Sequence, residues 1–80
     1  MLKIYGAAQC PDCVRCKEEL DKAGVEYLYL DIMEKMLFLK QFLKLREDPV
    51  FAPIRKGGQI GIPCILKEDG TLTFDWKEFL

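Results

Sequence analysis

Cys10-Pro11-Asp12-Cys13 is the most informative segment of this sequence, because it holds two thiols three residues apart. The preceding Leu2–Tyr5 is typical of a short strand, and a loop of small residues separates the two segments. Pro11 fits the first turn of a helix, since a proline there gives up no hydrogen bond that the helix needs. The sequence therefore predicts a strand, a short loop and then a helix that carries both thiols in its first turn.

The rest of the chain alternates between helical and extended patterns. The first helix is expected to end at Ala23, with Gly24 as its left-handed stop, and Val25–Leu30 is rich in the β-branched and aromatic residues of a strand. About 20 residues separate the two strands, which is the length of a right-handed crossover between parallel strands. The remaining predicted elements are a helix, a third strand, a hairpin turn, a fourth strand and a short final helix: Met33–Glu47, Ile62–Leu66, Glu68–Thr71, Thr71–Phe74 and Asp75–Leu80.

The second predicted helix carries apolar residues on two faces. One face holds the expected core stripe of Ile32, Met36, Leu39 and Leu43. A second stripe, Phe38, Phe42 and Leu45, lies roughly 110° around the helix from the first, so the two stripes cannot both face one sheet. Two interpretations stay open. Either Pro49–Ile54 folds back over the second stripe, or that stripe is a partner surface and the chain is a non-catalytic interaction module.

Composition limits the classes of function. The 80 residues have room for one core, so we expect a single domain over residues 1–80. The 12 basic residues are interleaved with 13 acidic ones, which argues against nucleic acid as a partner. No segment has the roughly 18 uninterrupted apolar residues of a membrane span. The N-terminus lacks the pattern of a signal peptide, so we expect a cytoplasmic protein, and a monomer.

Four cysteines and no histidine leave thiols as the expected reactive groups. In a reducing compartment, cysteines serve in catalysis, bind metals or are simply buried. Unpaired backbone N–H groups at the start of the helix stabilise a sulfur anion on Cys10, which makes Cys10 the expected nucleophile. Cys13 lies one turn further into the helix, so we expect it to be shielded and to resolve a mixed disulfide on Cys10.

The order of elements, the Cys10–Cys13 dithiol and the later Ile62-Pro63 together resemble glutaredoxins and the small glutaredoxin-related redoxins of the thioredoxin superfamily. The resemblance covers nearly the whole chain. It implies an α/β, thioredoxin-like fold of glutaredoxin type: a mixed four-stranded sheet with helices on both faces, in the order β-α-β-α-β-β-α. It also implies a thiol-disulfide oxidoreductase of electron transport and redox homeostasis. Such an enzyme reduces protein or small-molecule disulfides, depends on a thiol reductant or reductase, and binds no cofactor tightly.

The resemblance also implies which residues contact the substrate. In glutaredoxins a cis-proline loop before the third strand lies against the dithiol, and its backbone pairs with the substrate. Ile62 and Pro63 match that loop here. The implied substrate-binding residues are those beside the cysteines and in the loop, namely Pro11, Asp12, Ile62, Pro63 and Cys64.

Departures from the family pattern disfavour glutathione as a ligand. Glutaredoxins that use glutathione typically have a basic residue shortly before the dithiol and a tyrosine between the cysteines, where this chain has Ala7-Ala8 and Asp12. They also have a glycine pair and an acidic residue after the fourth strand, and only Asp75 matches part of that feature. We therefore expect a protein dithiol or another small thiol as the partner.

Asp12 has two opposing effects on the predicted nucleophile. A carboxylate ~7 Å from the Cys10 sulfur disfavours the thiolate by about 0.6–2.4 kcal/mol for effective dielectrics between bulk water and ~20. The helix terminus favours the thiolate by about 0.3–2 kcal/mol. Because these ranges overlap, we interpret Asp12 first as an acid that complements the helix N-terminus.

Two further cysteines support an alternative function. Cys16 shares a helix stripe with Cys13, so we expect it to be a buried core residue. Cys64 follows Pro63 directly and is either buried in its strand or placed beside the site. Together, Cys10, Cys13, Cys16 and Cys64 offer four thiolates, enough for zinc or an iron–sulfur cluster, and metal or cluster binding is therefore the alternative to dithiol exchange.

Overall fold

The computed structural model describes residues 1–80 and builds them around one mixed sheet. Its strands are β1 (Leu2–Gly6), β2 (Tyr27–Asp31), β3 (Cys64–Leu66) and β4 (Leu72–Thr73). They lie in the order β2-β1-β3-β4, in which β1 runs parallel to β2 and antiparallel to β3, and β4 runs antiparallel to β3. The predicted mixed four-stranded sheet and its parallel first pair are confirmed.

Three α-helices and two 3-10 turns complete the fold. The α-helices are α1 (Pro11–Lys22), α2 (Met36–Leu45) and α3 (Ala52–Lys56), and the 3-10 turns span Pro49–Phe51 and Trp76–Phe79. None of these helices has the length and apolarity needed to cross a membrane.

Side-chain caps explain why helix bounds differ from those predicted. The Asp31 carboxylate accepts a hydrogen bond from the Met33 N–H at 2.8 Å. This bond stabilises a turn, so α2 begins at Met36 and not at the predicted Met33. The Asp48 carboxylate accepts one from the Val50 N–H at 2.9 Å and so begins a helical segment that the sequence pattern did not predict.

The core lies on both faces of the sheet. Successive residues of a strand point to opposite faces, so Ile4 packs under α1 while Tyr5 packs under α2. The cluster under α1 contains Ile4, Cys16, Leu20 and Ile65, and the cluster under α2 contains Tyr5, Leu30, Ile32, Phe42, Phe51 and Cys64. The prediction of helices on both faces is confirmed.

The predicted core stripe of α2 is confirmed only in part, because Leu39 packs half-buried against the core while Met36 and Leu43 are exposed. Met36 is 68 % exposed and Leu43 is 50 % exposed, whereas Phe42 is 1 % exposed. Ile32 is buried in the core as predicted, although it lies in the turn before α2. The Phe42 ring stacks on Tyr5 with centroids 6.3 Å apart, and aromatic rings bury more apolar area than the Met and Leu side chains that they displace.

The segment after α2 covers the second stripe, as one of the two interpretations predicted. Phe51 is fully buried and meets Phe42 edge to face, with ring centroids 5.9 Å apart. Phe38 and Leu45 are half-buried around this contact. Phe42 therefore belongs to the core of the protein and is not exposed for contact with a partner.

Candidate active site

Cys10 lies at the point where the loop after β1 enters α1. It is the N-cap residue with an extended backbone, and Pro11 occupies the first helical turn as predicted. The Cys10 N–H donates to the Ala7 carbonyl at 3.1 Å, and the Val14 N–H donates to the Cys10 carbonyl at 3.1 Å. These two backbone bonds fix the thiol at the helix N-terminus, where it is half-buried.

The loop that precedes β3 supplies the opposite wall of the site. The peptide bond between Ile62 and Pro63 is cis, as predicted. The Cys10 thiol points toward the Ile62 carbonyl, with Sγ and O 4.0 Å apart. The structure therefore brings together the dithiol and the proline loop, although 52 residues separate them in sequence.

Two residues that hold this loop were missed by the sequence analysis. The Arg46 guanidinium donates to the Ile60 carbonyl at 3.0 Å and to the Gln59 carbonyl at 2.8 Å. Gly61 has a φ of +93°, and a Cβ atom there would lie 2.6 Å from the Phe51 ring. A glycine just before Ile62-Pro63 is visible in the sequence, whereas nothing in the sequence pairs Arg46 with the loop.

An apolar groove opens beside Cys10. Its volume is about 880 Å³, and nine of its 15 lining residues are hydrophobic. Asp12 is the charged residue among them, and no lysine or arginine lines the groove. The lining residues are Ala7, Gln9, Cys10, Asp12, Ile32, Met33, Ile54, Gly58, Gln59, Ile60, Gly61, Ile62, Pro63, Phe74 and Trp76.

Three of the residues implied to bind substrate line this groove: Asp12, Ile62 and Pro63. Pro11 is exposed on α1 but lies outside the groove lining. The Asp12 carboxylate is exposed and stands 3.9 Å from the Arg15 guanidinium, which is a surface ion pair worth less than about 1 kcal/mol. Asp12 lies in the first turn of α1, where an acid complements the helix N-terminus.

Cys13 is fully buried one turn inside α1. Burial, together with the nearby Cys10, raises the pKa of its thiol to about 12, while the Ala7 backbone and the Tyr29 side chain oppose the shift. Tyr29 on β2 is the third residue that the sequence analysis missed. The Cys13 sulfur is thus a protonated thiol at neutral pH, in contact with the same loop that positions Cys10.

The other two cysteines lie apart from the dithiol and from each other. Cys16 is fully buried with Leu20 and Ile65 on one face of the sheet, and burial raises its thiol pKa to about 11. Cys64 is fully buried with Phe42 and Phe51 on the opposite face, and burial raises its thiol pKa to about 12. The thiol of Cys64 therefore packs in the core and does not line the groove, contrary to its predicted contact with substrate.

The four sulfurs do not form a metal centre. Strand alternation sends Cys64 to the α2 side of the sheet, while Cys16 lies on the α1 side. No group of three or more His, Cys, Asp or Glu side chains stands close enough to hold a metal ion. The alternative that joins Cys10, Cys13, Cys16 and Cys64 around one metal or cluster is wrong for this fold.

The sheet order, the dithiol at the start of α1 and the cis-proline loop define a protein of the thioredoxin-like class. The Glutaredoxin family model matches residues 2–69, and the chain belongs to the glutaredoxin family. An uncharacterized protein of Haemophilus influenzae is 36 % identical over 73 residues, which cover 90 % of this chain and 85 % of that protein.

Solved structures show the same fold at low sequence identity. The thioredoxin-like protein BC3987 superposes with a TM-score of 0.71 at 20 % identity, over 99 % of this chain and 94 % of that one. The glutaredoxin of Archaeoglobus fulgidus superposes with a TM-score of 0.65 at 22 % identity, over 98 % of this chain and 79 % of that one. These likenesses confirm the predicted glutaredoxin-like, thioredoxin-superfamily fold.

Proposed function

We propose that this glutaredoxin-family protein is a thiol-disulfide oxidoreductase that works through Cys10 and Cys13. One observation carries the proposal: Cys10 is half-buried at the mouth of a groove, while Cys13, one turn away, is fully buried. A substrate disulfide therefore reaches Cys10 first and cannot reach Cys13 directly. Since the exchange needs only two thiols, the proposal includes no tightly bound cofactor.

The proposed reaction has two exchange steps. The Cys10 thiolate attacks one sulfur of the substrate disulfide, a mixed disulfide forms, and the first substrate thiolate leaves and takes a proton. Cys13 loses its proton and attacks Cys10, so a Cys10–Cys13 disulfide forms and the second substrate thiolate leaves. The substrate gains two electrons and two protons, and the protein loses them. A thiol reductant or a reductase then restores the dithiol.

Protein segments with apolar residues beside their cysteine are the proposed substrates. Glutathione presents two carboxylates and needs cationic or N–H partners, but the groove contains no basic side chain and its one charged group, Asp12, repels them. Asp75, the residue that matches part of the glutathione site of relatives, accepts a hydrogen bond from the Lys77 N–H at 3.0 Å and caps its own turn. The apolar lining, Trp76 and Phe74 included, favours apolar side chains instead.

The proposed location is the cytoplasm, because a reducing compartment would restore the Cys10–Cys13 dithiol between turnovers.

An aromatic disulfide that releases a coloured thiolate tests the proposed reaction. We expect the reduced wild-type protein to release two coloured thiolates per chain, Cys13→Ser to release one and retain a mixed disulfide, and Cys10→Ser to release none. Cys64→Ala is the matched control, because it removes a buried thiol away from the groove, and it should still release two. Full release by Cys10→Ser would refute the proposal.

Substrate preference is measured with peptide disulfides. A cysteine peptide flanked by leucines should be reduced with a kcat/KM about tenfold or more above that of its mixed disulfide with glutathione, since one buried leucine is worth about 1.5–3 kcal/mol. A preference for the glutathione mixed disulfide would contradict the proposed substrate class while leaving the dithiol mechanism in place.

A further inference from the structure

The buried position of Cys13 creates a difficulty for the second exchange step. A thiolate is the attacking species, yet Cys13 is fully buried and burial raises its thiol pKa to about 12. Some group must therefore stabilise the Cys13 anion at the moment when it attacks Cys10. Two groups near this sulfur oppose the rise in its pKa, namely the backbone of Ala7 and the hydroxyl of Tyr29.

Gly6 shows how closely Tyr29 and Cys13 approach each other. A Cβ atom on Gly6 would lie 2.6 Å from the Tyr29 hydroxyl oxygen and 3.0 Å from the Cys13 sulfur. Both atoms therefore border the space beside Gly6, at the end of β1, that a side chain at position 6 would fill. Any larger residue at position 6 would clash with both the hydroxyl and the thiol.

The Tyr29 ring is not part of the lining of the substrate groove. The Lys17 ammonium stands 4.1 Å from the centroid of this ring, and both residues line a second, smaller depression that is open to solvent.

We infer that Tyr29 is a positioning residue for the resolving step, in which its hydroxyl donates a hydrogen bond to the Cys13 sulfur and stabilises the attacking thiolate. The inference builds on the proposed dithiol mechanism. The Cys13–Cys10 bond forms, the bond from Cys10 to the substrate breaks, and the proton that the Cys13 thiol loses is balanced by the proton that the departing substrate thiolate takes. Tyr29 keeps its own proton throughout, because its pKa is raised by burial.

The charged groups that surround Tyr29 come from α1, β2 and the turn after β2. They are Lys17, Glu18, Asp21, Asp31 and Glu34, with the thiols of Cys10 and Cys13 on the inner side. Carboxylate and ammonium groups ordinarily keep their charges between pH 6 and 9. A change of the resolving rate within that range therefore reports on the thiols.

Single-turnover release from the aromatic disulfide separates the two steps, since the first thiolate reports attack by Cys10 and the second reports attack by Cys13. In Tyr29→Phe we expect an unchanged first phase and a second phase slowed about tenfold at pH 7, which corresponds to one pKa unit. Its dependence on pH should shift upward by the same unit. Tyr27→Phe is the matched control, because the Tyr27 hydroxyl lies on the same strand but donates to Asp21 at 2.7 Å.

Each result has a distinct meaning. A second phase in Tyr29→Phe with the wild-type rate and pH dependence overturns the role of Tyr29 while the dithiol mechanism stands. Equal slowing by Tyr27→Phe and Tyr29→Phe also overturns it, since that would reflect loss of a structural hydroxyl. Absence of any second phase in the wild-type protein refutes the proposed function itself.

Discussion

Gly61→Ala is expected to destabilise the protein and to disturb the active-site loop. At a φ of +93° an alanine is strained by about 1–2 kcal/mol. Its Cβ would also lie 2.6 Å from one atom of the Phe51 ring and 3.2 Å from Ile54 Cγ2, and overpacking of this kind costs about 1–3 kcal/mol. The expected loss in the free energy of unfolding is therefore about 2–5 kcal/mol.

Gly58→Ala provides the matched control. Gly58 also has a positive φ, of +71°, but a Cβ atom there would have no neighbour within 4 Å, so only the strain of about 1–2 kcal/mol applies. Urea unfolding measures both variants against the wild-type protein, with unchanged m-values as the condition for comparison. The same samples are assayed for release of the first coloured thiolate, because Gly61 lies next to the Ile62 carbonyl that faces Cys10.

The difference between the two variants isolates the clash with Phe51. We expect Gly61→Ala to be the less stable by about 1–3 kcal/mol and to attack the disulfide more slowly than Gly58→Ala. Equal stability of the two variants would refute the claim that the close packing of the Phe51 ring against Gly61 leaves no room for a side chain at position 61.

Three further predictions concern the core, the buried thiol and the groove. Phe42→Ala should lower the free energy of unfolding by about 3–5 kcal/mol, whereas Leu43→Ala, at a half-exposed position, should cost far less; similar urea midpoints would contradict the assignment of the α2 faces. Because the folded-state pKa of Cys13 is raised from 9.0 to about 12, the thiol is harder to ionise in the folded than in the unfolded chain. Stability should therefore be full below pH 9 and fall as the pH rises from 9 toward 12, and a flat urea midpoint over that range would be inconsistent with a buried thiol. Asp12→Asn should increase the rate at which an anionic disulfide reacts, by about threefold or more, and leave the rate for a neutral disulfide nearly unchanged; equal effects on both would show that the carboxylate does not act through its charge.

The fold was largely predictable from local patterns in the sequence. Pro11 marks the start of α1, and the spacing of the first two strands predicts their parallel pairing. The Ile62-Pro63 pair was found through the family resemblance, and the cis bond agrees with it. These features depend on residues close together in sequence, or on one recognisable motif.

The errors arise where distant contacts decide between local alternatives. Periodicity gave α2 two apolar faces of similar quality, and only the contacts of Phe42 with Tyr5 and Phe51 select the buried one. For the same reason the sequence does not indicate that Tyr29 lies near Cys13. That proximity depends on the parallel alignment of β1 and β2 and on the absence of a side chain at Gly6. The sequence does not decide the position of Cys64, because a residue after a proline loop faces either the site or the core, and only its register opposite Tyr5 places it in the core.

The most direct test of the central claim is the intact mass of the protein after oxidation by a small disulfide, combined with an alkylation map. The proposed mechanism predicts a loss of two protons that dithiothreitol reverses, with Cys10 and Cys13 protected from alkylation and Cys16 and Cys64 still free thiols. A protein that keeps all four thiols, or that forms its disulfide through Cys16 or Cys64, would contradict a dithiol centred on Cys10 and Cys13.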